Sequence, residues 1–419
     1  MSGLGTAWPS LVAADSAFPG ERIAVGASGH RIEYADGSTR LCVTSGLWNV
    51  PLGYGNPAVA RAVTRAMHDA SYLSLFRATH RYAEQAADAL VELAGRDRYR
   101  RVIYSTSGGA ANDIAMKLAR QYWAQRGSSS RSIIVGLRGS YHGTMYGSHA
   151  LSGDDLLHSV YSVDRRHVRH VPHDDEAEQL DALLQREGSR VAAVVVEPVL
   201  GSGALPLSRE FIARLLDLRE KYGFLIVADE VATGFHRTGP LFATNEWPAA
   251  PDLLLLSKAL TNGAMGAAVV LVGPRVSDEF TRGRWTFVHG ETQAGSPACA
   301  AAILAVIDEL RATDVDSKAG ALGVRLLNIA DDLRASGKIA AVTGRGCFLG
   351  LSLRHDDGTE YTGEQVLRVI SDLADEGVIV QPGPSSVELV PAFGFSEAEL
   401  FELETALHST LTALQDVRL

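Results

Sequence analysis

Leu253-Leu-Leu-Leu-Ser257-Lys258-Ala-Leu-Thr-Asn-Gly263 is the stretch on which the reading of this chain turns. Four leucines run straight into a lysine, and a glycine-containing turn follows. So short an apolar run, bounded by turn residues, reads as a buried strand. A lysine ammonium at the inner end of such a strand is costly unless paired or neutralised. Burial lowers a lysine's pKa, which makes it a natural amine nucleophile toward a carbonyl. The plainer alternative is that Lys258 snorkels to the surface at the strand end.

Outward from that strand, between Arg101 and Gly273, similar short runs recur: Val102–Tyr104, Ile133–Val135, Val191–Val196, Phe224–Val227 and Ala267–Val272. Amphipathic stretches such as Ala110–Gln125 and Arg209–Tyr222 separate several of them. Strands alternating with helices predict an α/β architecture with a largely parallel sheet covered on both faces. Ligands in such sheets gather at the carboxyl ends of the strands. Further out, helices are predicted after Pro57, at Tyr82–Leu93, Ala298–Arg311, Leu322–Ala335 and Glu397–Leu414. Extended pieces are predicted at Arg31–Tyr34, Arg40–Val43 and Cys347–Leu353. The expected division is a large domain over 51–297 and a smaller α+β domain built from both termini, 1–50 and 298–419.

Composition narrows the partners. Lys+Arg 39 against Asp+Glu 49 gives a net charge of -10, a poor match for nucleic acid or an anionic membrane surface. With no apolar leader and no uninterrupted membrane-length run, the cytoplasm is the expected location. Cys42, Cys299 and Cys347 lie far apart without metal-ligand spacing, so neither a disulfide framework nor a metal site is expected.

Chemistry-bearing residues fall at predicted strand ends. Ser105-Thr-Ser-Gly-Gly-Ala-Ala-Asn-Asp113 joins a strand to a helix, and small residues at a helix N-terminus form either an anion cradle or a plain tight turn. In Gly139-Ser-Tyr-His-Gly-Thr144 an aromatic between glycines either stacks on a planar ring or serves packing. Asp229 and Glu230 close a buried strand and must point to opposite faces. The chain has five lysines, and Lys258 alone sits where a Schiff base is expected. A phosphate cradle, a stacking aromatic, a buried carboxylate and a strand-end lysine together are the parts that hold pyridoxal 5'-phosphate.

With those parts assembled, the chain resembles the class III pyridoxal-phosphate aminotransferases, the group that includes the ω-amino acid transaminases. The resemblance rests on Ser107-Gly-Gly109, Tyr141-His-Gly143, Glu197-Pro198 with Gly201 and Gly203, Asp229-Glu-Val-Ala-Thr-Gly-Phe-His-Arg-Thr-Gly239, Ser257-Lys258 and His289-Gly-Glu-Thr-Gln-Ala-Gly-Ser-Pro297. These occur in the family's order across roughly residues 40–400. The resemblance implies fold type I, with a mostly parallel seven-stranded sheet, and an aminotransferase activity. It implies Lys258 as Schiff-base residue and proton shuttle, Asp229 at the pyridine nitrogen, and Tyr141 and Val231 on the two ring faces. Ser107, Gly108 and Gly109 take the phosphate, with His142 and Glu197 in the cofactor shell. Thr292 reaches the neighbouring subunit's phosphate, which makes a homodimer the expected active unit.

The chain also departs from the family. Ala232 stands where most members carry glutamine, and Ala110 where many carry glutamate. Carboxylate-handling relatives place an arginine clamp where Gln381 stands (ω-amine transaminases) or where Glu388 stands (ornithine- and GABA-type enzymes). In the latter a glutamate gates the arginine, and Ser202 occupies that position. No arginine falls within Gln381–Pro391. The expected acceptor is therefore a ketone or aldehyde without an adjacent carboxylate, as in tailoring of a natural product or of a modified peptide C-terminus; the chain is similar in flavour to the daptide-type aminotransferases. Glu388 either favours a cationic group or sits in a salt bridge at the pocket rim, and Trp48, Tyr72 and Phe76 form an apolar wall or serve the core. Competing readings are an ordinary ω-amino acid:pyruvate transaminase, an aminomutase, a decarboxylase, or a catalytically silent relative.

Overall fold

The computed structural model describes residues 6–13 and 23–416. Seven strands form the central sheet: β4 (Arg101–Ser105), β5 (Ile133–Leu137), β6 (Val168–Val171), β7 (Val191–Val196), β10 (Leu225–Asp229), β11 (Leu253–Leu256) and β12 (Ala268–Val272). Their order is β4-β12-β11-β10-β7-β5-β6, and β12 runs antiparallel to both its neighbours. Every residue of β5, β7, β10, β11 and β12 is buried. Their alternating side chains feed two different cores: Val194, Ile226, Leu254 and Val269 face one, while Val195, Val227, Leu255 and Val270 face the other. This is why the runs are apolar throughout rather than alternating. Helix Gly108–Gln125 lays Ile114, Leu118 and Trp123 into the second core, and helices Arg81–Ala94, Arg209–Tyr222 and Pro297–Ala312 cover the first.

Two smaller sheets complete the architecture. Strands β1 (Ala24–Ser28), β2 (Arg31–Tyr34) and β3 (Thr39–Cys42) are joined by β15 (Val378–Ile379), which lies parallel to β3, so both ends of the chain share one sheet. Strands β13 (Ala341–Arg345), β14 (Phe348–Ser352), β16 (Gln381–Pro382) and β17 (Ser386–Leu389) form the other, in the order β13-β14-β17-β16. A hairpin of β8 (Val199–Leu200) and β9 (Leu205–Pro206) projects residues 201–204 from the end of β7. Among the described residues no helix is long and apolar enough to cross a membrane.

Where the structure differs from the sequence reading, the cause is local polarity. Strand β6, Val-Arg-His-Val, carries two polar residues at the sheet edge and had not been expected as a strand. The helix expected from Leu322 begins at Val315, because Val315, Ala319 and Leu322 are buried at helical spacing despite the polar residues between them.

Candidate active site

The carboxyl ends of β4, β5, β7, β10 and β11 converge on one crevice. At the end of β4, Ser107 caps the helix Gly108–Gln125 and its Oγ accepts the Ala110 N–H at 3.2 Å. The first turn is sterically closed. A Cβ on Gly108 would lie 3.1 Å from Val231 Cγ1, and one on Gly143 (φ +114°) would lie 2.6 Å from the Gly109 Cα. Glycine is therefore required at 143, where both the positive φ and the backbone contact exclude a side chain, while at 108 the Val231 side chain would have to give. The helix N-terminus offers unpaired N–H groups and the positive end of its dipole, the chemistry of an anion cradle.

Asp229 ends β10 and is only 3 % exposed. Its Oδ2 accepts from Asn112 Nδ2 at 2.7 Å and lies 2.8 Å from His142 Nδ1, while Oδ1 accepts the Val231 N–H at 3.1 Å. Burial pushes this carboxyl up, but the hydrogen bond and charge of His142, with the Asn112 and Val231 donors, hold it below the ordinary carboxylate range. Burial works against the His142 imidazolium too, and Asp229 outweighs it, so the ring is pushed above its ordinary value. Glu230 points the other way, as the strand period requires. It accepts from Thr233 Oγ1, Ala243 N, and both Thr244 N and Oγ1, a structural role away from the crevice.

Lys258 follows β11 with φ +46°, a left-handed conformation that is unfavourable for a residue with a Cβ. Such strain persists where surrounding structure over-determines it, and functional sites are where it concentrates. Its Nζ sits 4.0 Å from the centroid of the Trp48 ring. Burial depresses the amine to about 8, partly offset by the nearby carboxylates of Glu197, Asp229 and Glu388. Trp48 itself is delivered by a left-handed turn: Ser45, Gly46, Leu47 and Trp48 have φ of 42°, 60°, 55° and 69°. Its Nε1 is buried without a hydrogen-bond partner.

Glu197 closes the crevice beyond β7, 3 % exposed, with its carboxyl pushed up to about 7 by burial. Its oxygens accept the Tyr141 N–H at 2.9 Å and the Gly201 N–H at 3.1 Å, which fixes the loop after β5 and the hairpin tip. Tyr141 is thereby held by its backbone while its ring stays 49 % exposed, free to cover a planar group. Glu388, on β17, is 1 % exposed, and its Oε1 accepts the Gly203 N–H at 2.7 Å. It is interior rather than at the rim, and among the described residues it has no salt-bridge partner. Gln381 is its direct partner in the β16–β17 register. Tyr72 and Phe76 belong to a different cluster: Tyr72 donates to the Thr292 carbonyl at 2.9 Å, and Phe76 stands against Gly290.

Two residues not anticipated from the sequence enter the site. Asn112 lies inside a helix, and its burial at 1 % exposure is the only signal that it faces inward. Glu291 accepts from Ser105 Oγ at 2.6 Å and from the Thr106 N–H at 2.9 Å, anchoring the segment that carries Thr292 beside the cradle of its own chain.

The sequence profile of the family described as Aminotransferase class-III matches residues 14–411. The chain belongs to the class III aminotransferases. Acetylornithine aminotransferase of Mycobacterium tuberculosis (strain ATCC 25618 / H37Rv) is 33% identical over 382 residues, covering 90% of this chain and 88% of that protein. Adenosylmethionine-8-amino-7-oxononanoate aminotransferase of Nitratidesulfovibrio vulgaris is 31% identical over 418 residues, covering 93% of this chain and 76% of that protein. An amine transaminase structure from an uncultivated Pseudomonas species superposes with a TM-score of 0.92 at 25% identity, covering 99% of this chain and 100% of that one. This class III chain is thus an aminotransferase of fold type I, and its cofactor is pyridoxal 5'-phosphate.

The residues present fit that group. The closed glycine cradle suits a phosphate, the buried Asp229 anion suits a ring nitrogen, the free Tyr141 face suits a planar ring, and Lys258 suits an aldehyde.

Proposed function

We propose that this class III aminotransferase moves an amino group from an amine donor to a ketone or aldehyde that has no carboxylate beside the reacting carbon. The single observation that carries the reading is the pair Gln381–Glu388. The two positions at which carboxylate-handling relatives are expected to hold arginine are direct cross-strand partners here, and neither holds a cation. A substrate carboxylate placed there would meet a buried carboxyl and no bidentate donor, a repulsive and desolvated arrangement.

The family resemblance and the geometry of the crevice together support the following roles. Pyridoxal phosphate, when bound, supplies an aldehyde for amine capture and a ring that takes up electron density from the carbon losing its proton. The N–H groups of Gly108 and Gly109, with Ser107, hold the phosphate. Asp229, braced by His142, keeps a proton on the ring nitrogen. Tyr141 and Val231 bound the ring faces, and Glu197 fixes the Tyr141 loop. Lys258 would act as the amine nucleophile toward the cofactor's aldehyde and would take and return the proton of the substrate carbon; Trp48 walls the pocket beside its amine. A homodimer is the proposed active unit, with Thr292, Tyr72 and Phe76 serving the partner's site, and the cytoplasm its proposed location. Natural-product tailoring, including a modified peptide C-terminus of the daptide type, suits a carboxylate-free acceptor.

A panel of donors and acceptors tests the reading. Carboxylate-free ketones are expected to be aminated at least about tenfold faster than α-keto acids, the discrimination of one charged hydrogen-bonding site. Good turnover of α-keto acids and ω-amino acids with none of such ketones would instead make it an ordinary ω-amino acid:pyruvate transaminase. Product formed without any separate amine donor would make it an aminomutase.

A further inference from the structure

Glu388 is a buried carboxyl with no salt-bridge partner among the described residues, although the charge of Lys258 acts on it. It sits on β17 between β14 and β16, opposite Gly350 on one side and Gln381 on the other. One oxygen takes the Gly203 N–H; among the described residues no hydrogen-bond donor reaches the other. The strand is internal to its sheet, and Glu388 is 1 % exposed. Glycine at 383 leaves room first for the Ser386 hydroxyl, which a Cβ there would run into, and then for Oε1, at 3.0 Å.

The surroundings place this carboxyl in the reaction crevice rather than in a structural network. Residues Gly201 and Gly203 of the hairpin tip are pinned by Glu197 and Glu388 respectively, and the Gly203 carbonyl accepts from Thr343 Oγ1 at 2.8 Å. A Cβ on Gly201 would lie 3.3 Å from the Trp48 ring, whose other side carries the Lys258 amine. Directly opposed residues of an antiparallel pair share a face of the sheet. Gln381 and Glu388 therefore present an amide and a carboxyl side by side. A buried carboxyl without a salt bridge or a full set of donors is unfavourable, and a ligand that supplies the missing donor relieves it.

We propose that Glu388, with Gln381 beside it, is the subsite for a second, protonated amino group on the substrate, so that the amino donor is a diamine and the matching acceptor an amino ketone or amino aldehyde. The inference rests on the proposed absence of a substrate carboxylate and adds what stands in its place. Burial pushes the Glu388 carboxyl up to about 8, with Glu197 reinforcing the shift and Lys258 opposing it. An incoming ammonium favours the ionised form, so a proton leaves as the diamine binds. Diamine affinity accordingly rises as pH approaches 8; the other titratable groups acting on Glu388 are Lys258 and Glu197.

The test is the half-reaction of the cofactor-loaded enzyme, followed by cofactor absorbance, with 1,5-diaminopentane against pentylamine. The two share a chain length and differ in the second amine. A preference for the diamine of about tenfold or more is expected, the scale of a hydrogen bond to a charged group, and Glu388→Gln collapses that ratio toward one. The same diamine raises the Tm of the wild-type protein and not of Glu388→Gln. Should that variant not fold, Gln381→Leu, which leaves the carboxyl in place, is expected to lower the ratio at least about threefold. Equal rates for both amines, or an unchanged ratio in the folded Glu388→Gln protein, overturn the subsite while leaving the carboxylate-free reading intact. Reaction with neither amine but with ω-amino acids overturns the carboxylate-free reading itself.

Discussion

Asp229 and Glu230 are adjacent and both buried, yet their chemistry is opposite because the strand period sends them into different surroundings. Glu230 is saturated by donors from residues 233–244, whereas Asp229 is kept anionic by His142 and Asn112 and faces the crevice. Asn112→Leu keeps the branched shape of the side chain, though not its volume, and removes one donor to Asp229. A hydrogen bond to a charged group is worth about 1.5–3 kcal/mol, so cofactor affinity is expected to fall by at least about tenfold, read from the dissociation of absorbance-monitored cofactor. An unchanged affinity would show that His142 and the Val231 N–H suffice. Asp229 was legible in the sequence as a carboxylate closing an apolar run. Asn112 was not, because a polar residue one turn into a helix reads as surface until its face is known. Lys258 was legible as a lysine with no reason to follow four leucines. What the sequence left open was its alternative at the surface; the half-buried side chain instead turns inward, with Nζ 4.0 Å from the Trp48 ring centroid. In the cofactor-free protein, reductive methylation of Lys258 should climb through pH 8 and level off by about pH 9, since burial has moved the amine to about 8 from the ordinary 10.5. A climb continuing past pH 10 would mean that the amine is solvated.

At the scale of elements, the site is assembled by close backbone approach. The loop after β5 meets the start of helix Gly108–Gln125 so tightly that a side chain at Gly143 would run into the Gly109 backbone. Gly143→Ala combines a positive φ of +114° with a contact of 2.6 Å to backbone, so the loop must move rather than a side chain. We expect a loss of about 1–3 kcal/mol in stability together with loss of cofactor retention, measured as Tm and as absorbance after gel filtration. A folded variant of wild-type Tm that binds cofactor normally would show that this approach is not required. The glycines were legible as turn residues; their mutual contact, residues apart in sequence, was not. The same limit applies to β16 and β17. Gln381–Pro391 read as a substrate-lining stretch marked by missing arginines, and its strands are too short to announce themselves. Only pairing revealed that the two departures at 381 and 388 are one feature. The left-handed turn at Ser45–Trp48 was likewise hidden, since only glycine among its residues favours that region.

For the whole molecule the decisive question is which subunit's site Thr292 completes. The family resemblance assigns it to the neighbour. The geometry adds a competing pull, because Glu291 ties the same segment to Ser105 and Thr106 of its own chain. Tyr72, Phe76, Val288, Met145 and Tyr146 are large apolar side chains left exposed in the single chain, at 41%, 55%, 79%, 45% and 72%. Exposed apolar surface of this kind marks an association surface. Complementation separates the two arrangements. In the proposed homodimer, Lys258→Ala and Thr292→Glu are each expected to inactivate the enzyme, the second by setting a negative charge against the phosphate. Mixed after dissociation, the two variants form hybrids. If Thr292 serves the neighbouring site, each hybrid has one site with both lesions and one with none. Half of the dimers are then hybrid, and activity returns to about a quarter of the wild-type value. If Thr292 serves its own chain, every site in the hybrid carries one lesion and no activity returns. We expect recovery, because the large apolar side chains around this segment are left exposed, as an association surface requires, and that outweighs the tie of Glu291 to its own chain.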